Sequence, residues 1–123
     1  MKFDVEITEI GHEALVFLEN PELNYIIIFD KTAPQDLKDI AVVHCGGNIA
    51  LPIAVGDKVN LCGQSYTITA IGDTAENTLK ELGHCTLSFS GDVNDMLPGQ
   101  IMLDGDTLDT SNLIAGGKIQ IGN

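Results

Sequence analysis

The stretch Val55-Gly56-Asp57-Lys58-Val59-Asn60-Leu61-Cys62-Gly63-Gln64-Ser65-Tyr66-Thr67-Ile68-Thr69-Ala70-Ile71 decides the fold class. A Gly56-Asp57 turn feeds an alternating run in which Val59 and Leu61 are apolar and Lys58 and Asn60 polar, the period of a half-buried strand. Gly63-Gln64 reads as a tight hairpin turn into a second strand, Ser65 to Ile71. Upstream, Phe3, Val5 and Ile7 alternate with Asp4, Glu6 and Thr8, a further strand. Tyr25 to Phe29 is too short and too β-branched for a helix and reads as a central strand. Ile40 to Val43 is another, running straight into His44-Cys45-Gly46-Gly47. His84 to Phe89, Gln100 to Leu103 and Lys118 to Ile121 complete the set. Gly11 to Asn24, acidic and broken by Pro21, reads as a hairpin end or loop.

Helix signals are sparse. Asp73 as N-cap with Glu76 three residues on resembles a capping box, and Gly83 is a natural stop, so one main helix is expected near residues 74–82. Thr32-Ala33-Pro34-Gln35-Asp36-Leu37 offers a short helical turn near 34–38. With seven or eight short strands and one solid helix, the expectation is a small, largely antiparallel β-barrel or barrel-like sandwich. A doubly wound sheet lacks the helices it would need between strands. Val55 to Leu61 also echoes Ala115-Gly116-Gly117-Lys118-Ile119-Gln120-Ile121. That is either a shared turn-plus-strand solution or a trace of duplication.

The 123 residues suit one domain, 1–123, and with 44% apolar and 20% charged residues the chain can build a core. There are 6 Lys, no Arg and 18 acidic residues, for a net charge of −12. That balance argues against nucleic acid, whose phosphates demand neutralisation, and against anionic membrane surfaces. The first ten residues carry acids where a signal peptide has its apolar core, and no apolar run nears the ~20 residues of a membrane span. A reducing cytoplasm is therefore expected, with Cys45, Cys62 and Cys85 as free thiols.

Chemistry concentrates at two histidines. His44 ends an apolar strand, which aims its side chain rigidly, and the glycines after it, Gly46 and Gly47, let backbone N–H groups approach a bound anion. A nucleophile beside free amides is what phosphoryl or acyl transfer needs. His84 follows Gly83 at the helix end, where the dipole favours a protonated ring suited to holding an anion or orienting a neighbour. His12 reads as an exposed loop residue. Each of His44 and His84 is followed by a Cys, and strand neighbours point to opposite faces, so neither pair converges on a metal. The acids of Asp104 to Asp109 do not fit a calcium-loop spacing. No cofactor motif is present.

Two further readings stand beside phosphoryl transfer. One is a non-catalytic small β-barrel binding or regulatory module. The other is a thiol hydrolase using Cys45 and His84, against which no Cys lies at a clear helix N-terminus.

The segment from Thr67 through Ile71-Gly72-Asp73-Thr74-Ala75-Glu76-Asn77-Thr78-Leu79-Lys80-Glu81-Leu82-Gly83-His84, with Thr86-Leu87-Ser88-Phe89 after it, resembles the glucitol/sorbitol-specific enzyme IIA component of the bacterial phosphoenolpyruvate-dependent phosphotransferase system. Ala33-Pro34-Gln35-Asp36-Leu37, Val43-His44-Cys45 and Leu97-Pro98-Gly99 resemble the same family in the same order. The resemblance implies a β-barrel fold with little helix. It also implies a phosphoryl group accepted from the phosphohistidine of the carrier protein HPr and passed to the IIB domain of a permease whose IIC part imports the sugar alcohol. The family's acceptor falls on His44, with Gly46, Gly47 and His84 as candidate supports. Asp36 and Asp39, just before the His44 strand, are candidates for an acidic docking rim.

Overall fold

In the computed structural model, which describes residues 2–47, 50, 52–91 and 96–122, eight strands close into a barrel. They are β1 (Phe3–Ile10), β2 (Tyr25–Asp30), β3 (Val42–Cys45), β4 (Lys58–Leu61), β5 (Gln64–Ile71), β6 (Cys85–Ser88), β7 (Gln100–Asp104) and β8 (Lys118–Gly122). Around the wall the order is β1-β3-β2-β6-β7-β5-β4-β8. Closure leaves none of these eight strands with an open edge to template association. The expected barrel is present and largely antiparallel, with two parallel pairs, β2/β3 and β6/β7.

Period-two alternation sets the interior: Val5, Ile7, Ile26, Ile28, Val59, Leu61, Ile68, Leu87, Ile119 and Ile121 are all buried. A smaller cluster of Phe29, Ala33 and Ala41 packs on the outer face. Outside the core, Lys2 Nζ donates to Asp57 Oδ2 at 2.8 Å, and the Ala54 N–H donates to the same oxygen at 2.9 Å. The Gly56-Asp57 turn is thereby tied to the start of β1.

The β4/β5 hairpin differs from the sequence reading by one residue. Leu61 pairs with Gln64, so the central residues are Cys62 (φ 51°) and Gly63 (φ 93°), both left-handed as a type I′ turn demands.

Among the described residues three short α-helices decorate the barrel: α1 (Val16–Glu19), α2 (Gln35–Lys38) and α3 (Ala75–Leu82). α1 replaces the expected loop. It is a single turn, held by Leu15 and Leu18 against the core and by Phe17 stacked on Tyr25 at 5.2 Å. The capping box at the start of α3 is not formed. Thr74 is the N-cap, with no side-chain cap, and the Glu76 carboxylate instead accepts the Ile53 N–H at 2.9 Å.

The seven-residue echo has a structural counterpart. β4 and β8 pair with each other, Asn60 opposite Gln120. The Gly56 N–H donates to Ile68 O and Ile68 N–H to Asp57 O, while Gly116 N–H donates to Ile7 O and Ile7 N–H to Gly117 O. The pattern extends around the wall. Both β1 and β5 carry an irregularity just after those isoleucines, where they pair with β3 and β7. β2/β3 and β6/β7 are the two parallel pairs, and β2 meets β6 antiparallel. The barrel is therefore two like halves, β8-β1-β3-β2 and β4-β5-β7-β6, meeting at β4/β8 and β2/β6. Under this correspondence Ile7 opposite His44 matches Ile68 opposite Leu103.

Candidate functional site

The parallel pairing of β2 and β3 builds the site. Two parallel strands end on the same side, and the register sets Asp30 beside His44. The link that permits this, residues 31–41, contains α2, as a parallel crossover requires. β6 runs antiparallel to β2 with Cys85 opposite Ile28. Continued two residues outward, that register brings Gly83, the left-handed cap of α3, across from Asp30. Its N–H donates to Leu79 O and the next, from His84, to Thr78 O, closing the helix.

His44 faces the interior, as does its partner Ile7 on β1, and the residue is 1% exposed. Its Nε2 lies 2.7 Å from Gly83 O. A carbonyl oxygen only accepts, so Nε2 carries the proton and the lone pair is on Nδ1. Nδ1 is buried with no hydrogen-bond partner among the described residues. Phe3 meets the ring edge-on at a centroid distance of 5.7 Å. Burial pushes the His44 pKa below its ordinary value, opposed by the Gly83 hydrogen bond and the Asp30 charge. The ring is consequently neutral near pH 7.

A cavity of about 210 Å³ opens at this corner, lined by His44, Gly46, Gly47, Phe3, Asp30, Thr32 and residues 79–83. Gly46 and Gly47, both exposed and at positive φ, share it with His44. A side chain at Gly47 would overlap Val5 Cγ1. Asp30 Oδ2 accepts from the Thr32 N–H at 3.1 Å and the Thr32 hydroxyl at 2.9 Å, which fixes the carboxylate at the rim. Lys80 and Glu81 are the other charged residues of the lining.

His84 is placed differently. Cys85 points into the core, so its neighbour turns outward, and the His84 ring lies against Phe29 at 4.5 Å. No hydrogen bond joins Cys45 and His84 among the described residues. Cys85 is fully enclosed, and burial pushes its thiol up to about 12. Asp39 sits at the opposite end of β3 from His44: the Glu13 N–H donates to Asp39 O, beside the point where β1 leaves the sheet, and Asp36 lies on α2 within the same link. Chain proximity misled there, because β3 carries its end away from α2.

Among the described residues no group of three or more His, Cys, Asp or Glu side chains could hold a metal ion, and no helix is long and apolar enough to cross a membrane. Two residues of the corner were not singled out by the sequence as site residues. The strand read from sequence ends at Phe29, one residue short of Asp30, and Gly83 is signalled only as a helix stop.

Comparison with known proteins places the chain in a family. The chain is 35% identical over 107 residues to the PTS system glucitol/sorbitol-specific EIIA component of Escherichia coli K12, spanning 87% of this chain and 85% of that protein. The Shigella flexneri protein of the same name matches over the same extent. The crystal structure of a PTS system IIA component from Enterococcus faecalis V583 superposes with a TM-score of 0.75 at 26% identity, covering 98% of this chain and 99% of that one. Residues 2–120 match the family described as the PTS system glucitol/sorbitol-specific IIA component, and the chain belongs to that family.

Proposed function

We propose that His44 is the phosphoryl acceptor, receiving the group from phospho-HPr in the cytoplasm and passing it to the IIB domain of a glucitol permease, with the whole chain acting as one IIA domain. The family is one of phosphotransferases that work through a phosphohistidine. The observation that carries the assignment to His44 is its combination of a neutral imidazole, set by burial, with a cavity rimmed by the exposed Gly46 and Gly47. A neutral ring has the lone pair that attacks phosphorus. Phosphoryl transfer asks chiefly for positioning and charge stabilisation, which backbone N–H groups of the two glycines can supply.

Because the ring is 1% exposed, transfer from a second protein requires the α3–β6 corner to part or the ring to turn outward. His84 supports the site through the corner that its main chain helps to close, without touching the phosphoryl group.

The test is reconstitution with enzyme I, HPr, phosphoenolpyruvate and membranes holding the IIB and IIC components. Glucitol phosphorylation should need this chain and stop with His44→Gln. Full activity with that variant would remove His44 from the pathway.

A further inference from the structure

We propose that Gly83 is a positioning residue of the His44 site: its carbonyl holds the resting imidazole as a single neutral tautomer, and it is glycine because that imidazole and Asp30 leave no room for a side chain. Its functional meaning rests on the reading of His44 as acceptor. The Nε2–O separation of 2.7 Å is that of a strong hydrogen bond, and His44 is buried too deeply for water to compete. Such a partner decides which ring nitrogen keeps the proton.

The second half of the barrel supplies an internal control. Under the correspondence of the halves, the β2/β6 ladder sets Asn24 opposite Phe89 as it sets Gly83 opposite Asp30. Asn24 is also left-handed, with φ 53° against 63° for Gly83, and its carbonyl accepts the Phe89 N–H at 2.9 Å. An asparagine therefore satisfies this backbone corner.

What differs is the side chain that approaches. Leu103 stands where His44 stands. A Cβ on Gly83 would lie 2.7 Å from His44 Cε1 and 2.9 Å from Asp30 Cβ, closer than real contacts allow. The glycine answers to the histidine and Asp30 as well as to the helix cap.

Two measurements on the full chain test this. Nitrogen-15 NMR of labelled histidine in the unphosphorylated protein near pH 7 should show His44 as one tautomer protonated on Nε2. A ring protonated on Nδ1, or a mixture, would overturn the proposal. Second, Gly83→Asn keeps a residue that tolerates the backbone but restores the clash. It should lower Tm by about 5 °C more in the wild-type background than with His44→Ala, where the ring is gone. Equal losses in the two backgrounds would reduce Gly83 to a helix cap. Should Gly83→Asn fail to fold, the wild-type tautomer still decides. If phosphorylation assays find no phosphohistidine at 44 while the Nε2 tautomer is present, the acceptor assignment fails and the clamp stands.

Discussion

At the scale of the residue, the burial that keeps His44 neutral also hides it. The unfolded ring titrates near 6.5 and the folded one below that, so acid favours the unfolded chain. The neutral ring's contribution is fully present above about pH 6.5 and is lost as pH falls through the lowered folded value. Denaturant titrations at about pH 7.5 and about pH 5 should therefore show lower stability at the acid end, and His44→Gln should flatten the difference. The glutamine amide can still donate to the Gly83 carbonyl, so the fold should survive. For His84, packed on Phe29, His84→Ala is expected to lower Tm and to slow transfer by less than about tenfold. That is below the range of a lost catalytic proton donor or acceptor; a larger loss measured by single-turnover kinetics would put the ring in contact with the reacting group. His44, Gly46 and Gly47 were legible in sequence because they are consecutive, or nearly so, at the end of one strand. The neighbours supplied by other strands were not. Gly83 reaches His44 only through the β2/β6 register, and no local pattern encodes that. The outward turn of His84 was available from the alternation that buries Cys85.

At the scale of the element, all eight strands were readable from their alternation or from β-branched runs. Their neighbours were not, because pairing order is a property of the closed ring. The parallel β2/β3 pair, which brings Asp30 to His44, had one sequence signal: a link between two apolar strands long enough to hold the α2 turn. α1 was missed because a one-turn helix has neither cap nor period, and packing alone holds it. The Gly56-Asp57 turn is tied to the start of β1 through Asp57. Asp57→Ala would leave the Lys2 ammonium and the Ala54 N–H without their acceptor, at a cost of about 1–3 kcal/mol by denaturant unfolding. The Lys2 hydrogen bond holds the Asp57 carboxyl below its usual range. Its contribution is present above the unfolded pKa and is lost as pH falls through the folded one, so the gap between wild type and Asp57→Ala should narrow in acid.

At the scale of the molecule, two like half-barrels share one closed wall, yet only one half carries a histidine at the strand end; the other has Leu103. On the proposed acceptor role of His44, one phosphoryl group per chain is the expected load. On the proposed exchange with HPr, the charge of −12 with no arginine should make association with a basic docking face fast and salt-sensitive. Raising ionic strength to ~0.5 M, where screening shortens to roughly 4 Å, should lower the second-order rate constant for transfer from HPr with little effect at saturation. A rate flat across that range would leave the charge a role in solubility alone. The acceptor assignment is tested most directly by intact mass after incubation with phosphoenolpyruvate, enzyme I and HPr. The wild-type chain should gain one acid-labile unit of ~80 Da, a single phosphoryl group, and His44→Gln should gain none. An adduct that persists in His44→Gln, or none in the wild type, would contradict it.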